Sequence, residues 1–114
     1  MLDVLILERD PVISLDLADA ARAADPHARI RVFDRASAVR RDRCTHAFLR
    51  AGPGTPRLAR LLSARGALVF LLGEDKLPRE LKSVPGMTAL PFPFTAAQLA
   101  RYLRTSPDDD RRAC

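Results

Sequence analysis

The sequence predicts a single α/β domain built on a parallel five-stranded sheet, and three observations carry that prediction. Short apolar runs alternate with stretches at helical spacing from residue 2 to residue 104. Two of the runs, 2–7 (LDVLIL) and 67–72 (ALVFLL), are almost unbroken aliphatic, as strands buried on both faces are. The length of 114 residues suits one domain and not two. Alternation of this kind implies parallel strands joined by crossovers. Right-handed crossovers with one central switch point give the order 2-1-3-4-5, with helices on both faces.

Each element has its own signal. The first strand ends at Glu8-Arg9-Asp10-Pro11, where Asp10 is placed to cap a helix and Pro11 fits its first position. Ile13, Leu17, Ala20, Ala21 and Ala24 then form one apolar helical face, with Asp16, Asp19 and Arg22 outside. Asp25-Pro26-His27 breaks that helix. Residues 29–33 alternate Arg and apolar side chains, predicting a strand with Arg29 and Arg31 on its wet face. Residues 36–43 predict a short basic helix, and 45–49 a third strand closed by Arg50. Gly52-Pro53-Gly54 predicts a tight turn, and Thr55-Pro56 repeats the cap-then-proline helix start before Leu58, Leu61 and Leu62. Residues 67–72 predict the central strand, 74–83 at most a short helix near Pro78, and 87–90 the last strand. Thr95 with Gln98 forms a capping box ahead of Leu99, Tyr102 and Leu103. The domain is expected to span 1–104, followed by a charged, disordered tail over 105–114.

Composition narrows the function classes. Charged residues make up 29% and hydrophobic ones 47%, ordinary values for a globular protein. No apolar run approaches the roughly 20 residues of a membrane span. The start lacks a basic secretory n-region, and the two cysteines, Cys44 and Cys114, make no disulfide framework. A cytoplasmic location is the expectation. Net charge is +5, and 17 of the 19 basic residues are Arg. Six Arg lie between Arg29 and Arg43 against Asp34 and Asp42. That segment reads as a solvated edge, as a surface for an acidic protein partner, or as a nucleic-acid contact, the last disfavoured by an aromatic content of 5%.

His27 and His46 lack clustered ligands at metal spacing and read as a turn residue and a surface or strand-edge residue. The Gly52–Gly54 turn lacks the Gly-Lys-Ser/Thr of a phosphate loop. Cys44 reads as a bystander. No serine sits in a nucleophile elbow.

Taken in order, Val4-Leu5-Ile6-Leu7-Glu8-Arg9-Asp10-Pro11, Val69-Phe70-Leu71-Leu72-Gly73 and Pro93-Phe94-Thr95 with Gln98-Leu99 resemble the receiver domain of two-component response regulators across residues 2–104. The resemblance implies a flavodoxin-like three-layer sandwich. It also implies a site of two acidic residues after strand 1, a phosphoacceptor Asp ending strand 3, a Ser or Thr ending strand 4 and a Lys ahead of a proline after strand 5. Only Glu8 matches that pattern. Arg9 stands for the second acid, Arg50 for the phosphoacceptor, Leu72 for the Ser or Thr, and Phe92 for the Lys, while Asp10 reads as a cap. Mg²⁺ needs oxygen ligands, and a guanidinium has no acceptor lone pair, so neither metal binding nor phosphotransfer is expected. Glu8 is expected to pair with Arg9 or Arg50; the alternative leaves both Arg side chains in solvent. The Phe92-Pro93 bond is open between cis and trans. At the family's aromatic switch position stand Ala89 and Leu90.

The reading is of a degenerate receiver that is not an enzyme and takes no cofactor, metal or small-molecule substrate. It would act as a protein-interaction module toward a histidine kinase, an output regulator or a second copy of itself. In the family, contacts commonly use helix 4, strand 5 and helix 5, which here points to Lys82, Ala97, Arg101, Tyr102 and Arg104. The alternatives are a small basic nucleic-acid regulator and a phosphoreceiver with a displaced acceptor.

Overall fold

A computed structural model of the chain describes residues 1–39 and 43–107. Five parallel strands, β1 (Asp3–Leu7), β2 (Arg29–Phe33), β3 (His46–Arg50), β4 (Leu68–Leu72) and β5 (Met87–Leu90), form one sheet of order β2-β1-β3-β4-β5. Three α-helices cover it: α1 (Pro11–Ala24), α2 (Thr55–Ala64) and α3 (Ala96–Arg104). This is a flavodoxin-like α/β fold, as the alternation predicts.

The period-2 geometry of the strands divides the core into two layers. Val4, Ile6, Phe48, Phe70, Leu72 and Leu90 face α1 and α3, meeting Leu17, Ala21, Leu99 and Leu103. Leu5, Leu7, Ala47, Leu49, Val69 and Leu71 face α2, meeting Ala59 and Leu62. The central strands are therefore apolar at consecutive positions because each residue enters one layer or the other.

Helix ends follow the capping chemistry. Asp10 Oδ1 accepts from the Val12 N–H at 2.9 Å, with Pro11 in the first turn. At α3, Thr95 and Gln98 exchange both bonds of the capping box. The start of α2 differs from expectation. Gly54, with φ +81°, is its N-cap and no side chain caps it; Thr55 instead turns inward and its hydroxyl donates to the Arg50 carbonyl at 2.9 Å. After α1, Asp25 accepts from the Leu2 and His27 N–H groups, which lowers its pKa and ties the chain's start to the turn.

Among the described residues, two of the five expected helical stretches hold a single 3-10 turn, at Ala36–Ala38 and Arg79–Leu81. The first has no side-chain cap and runs straight into extended backbone at Val39, a β-branched residue. The remainder of that expected helix at 40–42 lies outside the described residues, as does the tail from 108 to 114.

The edge strand β2 also departs from its sequence pattern. Arg31 was expected on the wet face, yet its side chain is largely covered, while Val32 is 50% exposed. The reason is Asp3 on the neighbouring strand, whose carboxylate pairs with Arg31 at 2.8 Å and with Arg29 at 3.7 Å. Arg31 Nη2 also donates to the Arg43 carbonyl at 3.0 Å.

His46 is a further correction. It is not a surface residue but fully buried, stacked parallel to Phe70. Nε2 lies 3.0 Å from the Thr105 carbonyl and 3.2 Å from that of Tyr102, so Nε2 carries the proton, and Nδ1 lies 2.9 Å from the Thr45 hydroxyl. The ring thus ties the start of β3 to the end of α3. Desolvation pushes its pKa down, outweighing the two carbonyls that favour the charged form. The unfolded chain protonates this histidine near pH 6.5, and the folded chain only at lower pH. The unfolded state therefore binds more protons in that window, and stability falls as pH drops below about 6.5. Urea unfolding midpoints are expected to show this decline below about pH 6.5 for the wild type and to lose it in His46→Phe. Parallel curves for the two proteins would assign the decline to other groups.

Cys44 is buried under the α2 layer, and its thiol is pushed up to about 11 by desolvation, which makes it a poor nucleophile. Among the described residues no helix is long and apolar enough to cross a membrane.

Candidate functional site

In a doubly wound sheet, chemistry belongs at the carboxyl ends of the strands near the switch point. Here β1 runs into Glu8, β3 ends in Arg50, and β4 runs into Gly73. The parallel register brings these ends side by side: Leu7 is level with Leu49, and Arg50 with Leu72.

Glu8 is 5% exposed. Its Oε1 accepts from the backbone N–H groups of Arg9 and Asp10, at 2.9 and 3.0 Å. Its Oε2 lies 3.0 Å from Arg50 Nε. The Nε–H is not aimed at that oxygen, so charge at contact distance holds the pair, and Oε2 has no aligned donor. The Arg50 guanidinium also lies over the Phe92 ring, 4.8 Å from its centroid, within the range of a cation–π contact. Phe92 precedes Pro93 through a cis peptide bond.

Gly73 completes the enclosure. Its φ is +79°, and a Cβ there would lie 3.0 Å from both Arg50 Nη1 and the Phe92 ring. Only a glycine satisfies the left-handed backbone and leaves room for the guanidinium. Arg50 is therefore held on three sides, by a carboxylate, an aromatic face and a bare backbone.

Of the sequence-predicted positions, the structure brings Glu8, Arg50 and Phe92 together. Arg9 contributes its N–H to Glu8 while its side chain is exposed, and Asp10 caps α1. Leu72 is elsewhere: it points into the α1/α3 layer, and the residue facing Arg50 from β4 is Gly73. Gly73 lies one residue beyond the strand, where the backbone turns through a positive φ. Gly73 was legible as a glycine ending an apolar run, but its partner was not. Among the described residues no group of three metal-ligating side chains occurs.

The expected contact face is also altered. Helix 4 of the resemblance is one 3-10 turn here. Lys82, Ala97, Arg101 and Arg104 are exposed, but Tyr102 is half-buried, with its ring 4.9 Å from that of Phe70 and under the Arg101 guanidinium.

Removing the carboxylate tests the cluster. Glu8→Ala strips two N–H groups of their acceptor and leaves the Arg50 charge without its counter-ion, and a loss of about 1–3 kcal/mol is expected. An unchanged urea midpoint would show that the pair contributes nothing to the fold.

No protein-family model matches the chain, and no curated protein matches it.

Proposed function

We propose that this chain is a receiver-like domain fixed in one state, acting as a phosphorylation-independent protein-interaction module in bacterial signal transduction. The observation that carries the reading is the Arg50 guanidinium at the end of β3, held between Glu8, Gly73 and Phe92. In the family that position is a carboxylate that accepts a phosphoryl group beside Mg²⁺. A cation there repels a divalent metal and offers no nucleophile. The neighbouring Lys is replaced by a phenyl ring, so the partner of the charge changes along with its sign. Leu90 is fully buried where a swinging aromatic would stand, which supports an unswitched domain.

An unswitched domain acts by binding. Val12 and Leu15, 66% and 57% exposed, lie on the outer face of α1 three residues apart, and such a pair is available to a protein partner. The basic face of α3, with Arg101 and Arg104, is the second contact surface. The partner class is a histidine kinase, an output regulator or a second copy of the chain.

The test exposes the chain to acetyl phosphate and Mg²⁺ and follows it by intact mass, with capture of partners from the source cell's extract before and after treatment. The expected result is no phosphoryl mass increment and the same captured proteins. An aspartyl-phosphate adduct, or a partner bound only after treatment, overturns the reading.

A further inference from the structure

We propose that the cleft at the carboxyl ends of β1, β2 and β3 is a binding site for a phosphorylated small molecule of mononucleotide size. It departs from the expectation that the chain takes no small-molecule ligand, and it does not depend on the receiver-like reading.

The cleft has a volume of about 800 Å³, within the range of roughly 300–1,000 Å³ found for ligand sites. It lies where β1 passes between β2 and β3, the crevice in which doubly wound sheets take ligands. Among the described residues of the β2–β3 connection, a 3-10 turn at Ala36–Ala38 forms one rim of the cleft, opposite the start of α2. Close packing at one point holds the rim together, since a Cβ on Gly54 would lie 3.2 Å from Ala36 Cβ.

The lining sorts by chemistry. Arg9, Arg35 and Arg57 reach the cleft from three different segments, all exposed, and none has a carboxylate partner among the described residues. Arg50 is already paired with Glu8, and Asp34 is the one other acid on the wall among the described residues. The N-terminus of α2 opens onto the same space at Gly54 and Thr55, with no side chain capping it. Guanidinium groups and an uncapped helix start both favour a phosphate.

One further feature calls for more than a bare anion. Leu58 and Leu61 give the cleft an apolar wall, suited to an organic body. Phosphate-binding groups beside an apolar wall describe a phosphorylated organic molecule, and a mononucleotide is of a size to occupy the cleft.

Calorimetric titration of the full chain with AMP, GMP and UMP, and with adenosine and inorganic phosphate as controls, tests this at low ionic strength. At least one nucleotide is expected to bind saturably below about 1 mM, adenosine not at all, and phosphate at least tenfold more weakly. Arg35→Ala/Arg57→Ala should weaken the nucleotide by about tenfold or more. Both arginines are exposed, and an unchanged urea midpoint verifies that the variant is folded. Absence of saturable nucleotide binding, equal affinity for phosphate, or an unaltered affinity in the folded variant overturns the proposal.

Discussion

Phe70→Ala is expected to lower the unfolding free energy by about 3–5 kcal/mol, the range for truncating a buried aromatic. Phe70 sits in the middle of β4, buried to 3% exposure in the layer shared by α1 and α3. Its ring lies 4.9 Å from that of Phe48, 4.9 Å from that of Tyr102 and 6.4 Å from that of His46. It therefore joins the two central strands to α3, and truncation removes the contact area and leaves a cavity between sheet and helix. Urea unfolding followed by far-UV circular dichroism measures the effect. A loss below about 1.5 kcal/mol would mean that α3 closes over the space.

Arg50→Asp is the second large effect. It removes the counter-ion of a carboxylate with 2% side-chain exposure and sets a like charge beside it. Breaking a fully buried pair from one side costs about 3–5 kcal/mol. Arg50 itself is 41% exposed, so water screens part of the repulsion, and about 2–3 kcal/mol is the expected loss at neutral pH. The change also returns an oxygen ligand to the end of β3. The double variant R9D/R50D places further carboxylates near Glu8, so millimolar Mg²⁺ should raise its unfolding midpoint while leaving the wild type unmoved. If Mg²⁺ leaves the double variant unmoved as well, charge alone does not account for the difference from a metal-binding site.

These two predictions draw on different parts of the chain's information. Phe70 was legible as core because it stands inside an unbroken aliphatic run, and such runs occur where both faces of a strand are covered. The aromatic stack around it was not legible, since Phe48, His46 and Tyr102 come from distant segments. His46 shows the difficulty most clearly. A lone histidine at a strand's start has no sequence signal for burial, and what covers it is the last turn of α3, more than fifty residues away. Arg31 is covered against expectation for a related reason: Asp3, on the adjacent strand, supplies an ion pair that alternation alone does not contain.

The candidate site divides in the same way. Glu8, Arg50 and Phe92 were identifiable from their positions at strand ends. That Arg50 rather than Arg9 meets Glu8 depends on β3 lying beside β1. Gly73, rather than Leu72, faces them because one residue beyond the strand the backbone turns through a positive φ. The cleft next to them had no sequence signal at all, because its walls come from segments far apart in the chain: the end of β1, the start of the β2–β3 connection and the start of α2.

By itself, the sequence determined the strand order, the caps of α1 and α3 and the strand-end positions of the charged residues. Each of these depends on local chemistry: residue periodicity, side-chain acceptors near helix starts, and the handedness of crossovers. The tertiary structure alone decided which charges meet, which polar groups are buried and where space is left open. Those outcomes depend on contacts between segments far apart in the chain, whose energies follow from burial and distance rather than from neighbours in sequence.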